Sequence, residues 1–223
     1  MSTLQESLKF LLELKENNNR EWMEANKKRY QSVRAGFEGM IADLIQKIGA
    51  FDADIAGLQV KECVFRINRD VRFSNDKSPY KITFSAYIGK GGKKAEKAGY
   101  YLQISPAGSF LAGGRFMPAS EDLKKIRQEI DYNADAFLQL IQAPDFKKYF
   151  GTLSGEALAR APKGYPLDHP LVDYLKKKSF LMEYPITKTP DSFEALSQEA
   201  AQVFKAMKPL NDFLNAAVEW VED

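Results

Sequence analysis

The chain has 223 residues, 44% of them hydrophobic and 28% charged, with a net charge of +2. That is long enough for a substantial core, too apolar for wholesale disorder, and too near neutral for a global field that would draw in nucleic acid. A single cysteine, Cys63, excludes an intrachain disulfide and fits a reducing cytoplasm, and no run nears the ~18 apolar residues of a membrane span. The opening Met-Ser-Thr-Leu-Gln-Glu lacks the basic-then-apolar order of a secretion signal.

Thr3 and Glu6 stand at capping-box spacing, and Leu4, Leu8, Leu11 and Leu12 follow at helical period. Asn17 to Asn19 end this helix, and Asn19 can cap the next. The second helix is long. Tyr30, Val33, Phe37, Met40, Ile41, Leu44, Ile45 and Ile48 make one apolar stripe, with Gly49 suited to its end. Trp22 reads as a core or staple residue at its start, and 50–60 as a loop.

Strands come next. Alternation predicts one over 62–73, with Cys63, Phe65, Ile67, Val71 and Phe73 on one face. Arg69 falls on that apolar face, so either the strand ends near Asn68 or a carboxylate holds the guanidinium. Ser74 to Pro79 is a turn. Further strands are predicted over 82–89, 99–105 and 109–113, the last two joined by Pro106-Ala107-Gly108. Gly89 to Gly99 is a lysine-rich loop without the spacing of a phosphate loop. Gly113 and Gly114 would close the run of strands.

The second half is mainly helical. Helices are predicted from Pro118–Ser120 onward with Leu123, Ile126 and Ile130 inward, over Ala134–Ile141, and from Pro144. Phe150–Leu153 reads as a brief strand, Gly155–His169 as a loop, and Pro170–Lys176 as a short helix. A fifth strand is expected over 179–186. Pro190 to Lys208 is amphipathic; Pro209 should break or kink it, and Leu210, Phe213, Leu214, Ala217, Val218 and Val221 continue the stripe. The expected fold is α+β. A mainly antiparallel sheet of about five strands packs against N-terminal, middle and C-terminal helices, in a single domain over 1–223.

The chemistry concentrates in Cys63–Lys81, CVFRINRDVRFSNDKSPYK. Residues 61–97 hold ten Lys/Arg against four acids, a local +6 that leaves −4 for the rest. Such a segment attracts anions without selecting one. Arginine offers paired donors that match phosphate or carboxylate, lysine adds point charges, and an aspartate among them can orient an arginine, hold a metal or act as a base. The candidate ligand-binding residues are Arg66, Arg69, Asp70, Arg72, Asp76, Lys77, Tyr80 and Lys81. Asp70 and Asp76 are the weak catalytic candidates.

The run Arg69–Lys81, Arg-Asp-Val-Arg-Phe-Ser-x-Asp-Lys-Ser-Pro-Tyr-Lys, resembles the core motif of the domain of unknown function 2461 family. Asn18-Asn19-Arg20-Glu21-Trp22 resembles its N-terminal motif. Pro162-Lys163-Gly164-Tyr165 with Asp168-His169-Pro170 resembles its C-terminal one. The resemblance implies that the three motifs belong to one fold, and it names no reaction. It adds Lys163 to the candidate site.

The inventory nearly excludes a structural zinc site, since one cysteine and the lone His169 cannot supply its ligands. No nucleophile elbow, dinucleotide fingerprint or zinc-protease helix is present. No cofactor is predicted, although carboxylates with substrate phosphates would suffice for magnesium. Three readings fit. The favoured one is a soluble module binding an anionic small molecule or a nucleic-acid backbone, with Tyr80, Tyr87, Tyr100 and Tyr101 available to stack bases if exposed. A structural or partner-binding protein whose charges form an internal ion-pair network comes next. A metal-assisted phosphoester-type enzyme comes last.

Overall fold

The computed structural model describes residues 3–94 and 96–219. It is mixed helix and sheet. Four strands, β1 (Phe84–Ile88), β2 (Gly99–Ile104), β3 (Ser109–Arg115) and β4 (Phe180–Ile186), pair in that order into one antiparallel sheet. The chain divides into two compact units. One is Met1–Ala95, Tyr101–Leu111 and Pro185–Gln202; the other is Glu96–Tyr100, Ala112–Tyr184 and Val203–Asp223.

The first unit begins with α1 (Leu4–Glu16), capped by Thr3, whose hydroxyl accepts the Glu6 N–H at 3.1 Å. The long helix expected next is two helices, α2 (Arg20–Ala25) and α3 (Lys27–Gly49), separated at Asn26. Asn19 caps α2 through its side-chain oxygen, 2.8 Å from the Trp22 N–H. The stripe of α3 is buried from Val33 to Ile48. Phe84 of β1 is the hub of this core, with the rings of Phe10, Phe37 and Tyr30 stacked around it at 5.6–6.5 Å. Trp22 leans on Phe10 at 5.5 Å.

The segment 62–73 does not form the continuous strand its alternation suggests. It starts as a one-turn helix, α4 (Val60–Cys63), closed by a capping box between Gln59 and Glu62. It then pairs with the chain leading into β1 through two isolated antiparallel bridges, Val64–Ala86 and Asn68–Tyr80. These bridges lie four residues apart on one side and six on the other, so the 80–86 side carries a two-residue bulge. Side chains also take the backbone oxygens a ladder would use: Arg34 binds Phe65 O at 2.8 Å, and Lys93 binds Val64 O at 2.8 Å. Phe73, placed by alternation on the apolar face, is 94% exposed.

The second unit holds α5 (Ser120–Tyr132), α6 (Ala134–Gln142), α7 (Pro144–Tyr149) and α8 (Val172–Leu175), with the later part of α9 (Phe193–Glu219). Phe137 packs on Phe213 at 5.7 Å and on Tyr174 at 5.1 Å. The expected brief strand at 150–153 is a turn, followed by single bridges Ser154–Leu181 and Ala157–Lys177. β3 runs through Gly113 and Gly114 to Arg115 where an end was expected. Gly114 (φ +104°) lets the Phe180 carbonyl sit where a Cβ would be, 2.0 Å away. Pro209 lies inside α9, which continues past it. Val221 lies outside the described residues.

Candidate functional site

The structure splits the charged motif in two. The loop from Arg69 to Ser78 satisfies itself. Arg69 pairs with Asp76 and reaches Ser74 Oγ at 3.5 Å. Arg72 forks onto Asp70, Nε at 3.0 Å and Nη2 at 2.7 Å. Lys77 donates to Val71 O at 3.0 Å. Hydrogen bonds from Ser78 and from Arg69 hold the Asp76 carboxyl well below the usual carboxylate range, and the hydrogen bond from the Arg72 guanidinium lowers Asp70. Both aspartates are therefore ionised and engaged, which suits neither with general-acid work. The base of the loop is closed by the Asn68–Tyr80 bridge and by Arg69 N–H to Pro79 O at 2.9 Å.

The N-terminal and middle motifs meet at Tyr80. The Asn18 side chain donates to Tyr80 O at 2.9 Å and accepts from Tyr80 N–H at 3.1 Å, so one amide clasps both backbone groups. Asn215 clasps Ala98 in the second unit in the same manner, at 2.7 and 3.1 Å. Tyr80 thus enters through its backbone, its ring half-buried. Lys81 follows directly and is tied to the first strand-like segment by its N–H to Ile67 O at 2.7 Å.

Lys81 and Arg66 line a cavity of about 500 Å³ in the first unit, with Arg34, Lys61, Lys93 and Lys94, beside Glu38, Val64 and Phe65. Two of these cations are spoken for. Arg34 pairs with Glu38 at 2.6 Å and holds Phe65 O; Lys93 holds the carbonyls of Val64 and Lys61. The other four, Lys61, Arg66, Lys81 and Lys94, have no carboxylate partner among the described residues. Lys81 is half-buried with its ammonium 5.5 Å from the Phe65 ring centroid. Burial, and then the nearby Arg66 charge, push its pKa down, so the fold holds it at a cost to its charged form.

Lys93 and Lys94 reach the cavity because the β1–β2 loop folds back as a 3-10 turn, Gly92–Lys94, against α4. Gly92 (φ +72°) permits it, since a Cβ there would stand 2.8 Å from Glu62 O. Of the residues singled out by sequence, the structure brings Arg66 and Lys81 into the cavity. Arg69, Asp70, Arg72, Asp76 and Lys77 belong to the self-paired loop, and Lys163 is an exposed residue of the second unit that does not line the cavity. Lys61, Lys93 and Lys94 went unselected, although the local +6 excess was their signal; Arg34 lay hidden among the polar positions of α3. Among the described residues no three His, Cys, Asp or Glu side chains gather as metal ligands would.

His169 is a local device. Its Nδ1 accepts the Leu171 N–H at 3.1 Å, which leaves the proton on Nε2 to face Asp131 at 2.9 Å. Tyr165 of the same motif meets the imidazole edge-on at 6.0 Å.

A family described as conserved hypothetical protein matches this chain over residues 6–213, nearly its full length. The chain belongs to the domain of unknown function 2461 family. No curated protein and no solved structure matches it. In family terms, the N-terminal motif clasps the middle motif through Asn18, and the C-terminal motif builds the Tyr165–His169–Asp131 group. No helix among the described residues is long and apolar enough to cross a membrane.

Proposed function

We propose that this chain binds a phosphate- or carboxylate-bearing anion in the cavity lined by Lys61, Arg66, Lys81 and Lys94. One observation carries the reading. Arg66 and Lys81 share a cavity whose carboxylate, Glu38, is already paired with Arg34, while every cation of the neighbouring loop is engaged. Like charges gathered in one concavity, with Lys81 half-buried among them, repel one another alone and are stabilised when an anion arrives. The metal-assisted alternative draws no support from Asp70 and Asp76, which are tied to arginines and do not line the cavity. The ion-pair-network reading accounts for the 69–78 loop and leaves the cavity unexplained. The lone buried Cys63 fits a cytoplasmic setting.

The test is thermal unfolding at low ionic strength with inorganic tripolyphosphate or citrate added. A ligand at 100 times its Kd stabilises by about 2.7 kcal/mol. The wild type and Arg72→Ala should both shift upward, and Arg66→Ala and Lys81→Met should not. Salt should abolish the shift. Equal shifts in Arg66→Ala and wild type, or none in either, would remove the cavity from consideration.

A further inference from the structure

We infer that the anion is the backbone of a single-stranded nucleic acid, whose bases lie on an aromatic row that starts at the cavity wall. This rests on the anion-binding reading above. The core face of β1 and β2 is taken by Phe84, Ala86, Ile88, Tyr100, Leu102 and Ile104, all buried. By strand alternation Ser85, Tyr101 and Gln103 point to the opposite face. Val64 stands across from Ala86, so Phe65 joins that opposite face too. There the rings of Phe65 and Tyr101 lie 6.5 Å apart, and those of Tyr101 and Phe110 lie 5.6 Å apart. All three remain partly exposed. A row of rings across three neighbouring segments is thus left incompletely covered on a face that the core does not use.

Its position decides what it fits. Phe65 is both the first ring of the row and a wall of the cavity that holds the unpaired cations. A ligand reaching both must carry several negative charges and flat apolar faces at a short repeat. Single-stranded nucleic acid has both, and proteins hold it by a cationic track beside stacking rings. A duplex keeps its bases stacked inside and offers only phosphates. Lys81 supplies the coupling: its ammonium rests near the Phe65 ring, so its transfer to a phosphate frees that face for a base.

The experiment is fluorescence anisotropy at low salt with a labelled oligothymidylate, against wild type, Phe65→Leu and Phe110→Leu, each checked for an unchanged melting profile. Competitors are inorganic tripolyphosphate, a mononucleotide and a duplex of equal length. Stacking predicts that either ring variant weakens oligonucleotide binding about tenfold, and that Phe110→Leu, which lies outside the cavity lining, leaves tripolyphosphate binding unchanged. Should tripolyphosphate bind while the ring variants hold the oligonucleotide as well as wild type, the base platform falls and the anion cavity stands. Duplex or mononucleotide binding as tight as the single strand would likewise overturn it. Failure of both tripolyphosphate and oligonucleotide to bind would remove both readings.

Discussion

The clasp of Asn18 on Tyr80 lends itself to a sharp perturbation. Asn18→Ala removes two hydrogen bonds, at 2.9 and 3.1 Å, between groups 62 residues apart in sequence. At a net ~1 kcal/mol each this costs about 2 kcal/mol, and for a chain of this size roughly 4–8 °C in Tm. Asn18→Asp has nearly the same shape. It keeps the acceptor for Tyr80 N–H, loses the donor, and sets a carboxylate oxygen against the Tyr80 carbonyl. It should cost at least as much as alanine at pH 7. Protonation restores a donor, so this carboxyl titrates higher in the folded state than in the unfolded one. The folded variant then binds the extra proton, and its deficit relative to wild type shrinks as pH falls through that range. Paired calorimetric melts of both variants and wild type at pH 7 and pH 4 measure this. An alanine variant melting within about 1 °C of wild type, or an aspartate deficit that grows in acid, would refute the reasoning.

Four further outcomes can be checked. Arg69→Ala breaks a pair whose members are 26% and 57% exposed, so it should cost about 0.5–1 kcal/mol, with tripolyphosphate binding intact; a loss above about 3 kcal/mol would mark a buried charge instead. Gly114→Ala forces a Cβ onto the Phe180 carbonyl at positive φ and should cost on the order of 4 kcal/mol. Gly39→Ala in α3, where a Cβ meets nothing within 4 Å, should gain about 0.5–1 kcal/mol; the reverse order in chemical denaturation would contradict the packing described. Burial pushes the Cys63 thiol up to about 11, with Glu62 adding to the shift and Lys93 opposing it. At pH 8 the native protein should resist iodoacetamide and the denatured protein should not. Fast alkylation of the native form, followed by mass spectrometry, would count against that buried setting.

Periodicity made most of the fold legible. The stripe from Tyr30 to Ile48 and the alternation of 82–88 each follow from one face being buried, and burial is what those patterns record. The 62–73 segment was misread because alternation says nothing about where a chain finds its partners. Gln59 is an unusual cap, so the one-turn helix before Val64 left no familiar sign. The site was half legible for a similar reason. Local charge excess flagged the segment that lines the cavity, but side-chain pairing decides which cations are spent, and Arg72 with Asp70 two residues away looks no different in sequence from Arg66 without a mate. Asn18 reads locally as a helix terminator, and its clasp on Tyr80 depends on a distant neighbour that no short window contains.

The closed base of the 69–79 loop makes that loop separable. Its ends are fastened to each other at Asn68–Tyr80 and Arg69–Pro79, and its two arginines and two aspartates pair within its own circuit while Lys77 bonds the Val71 carbonyl. A shorter reverse turn grafted across the same two ends would leave Arg66 and Lys81 anchored where they are. The stem and the tip can therefore be altered independently, and replacing the tip would show which of the two carries anion binding.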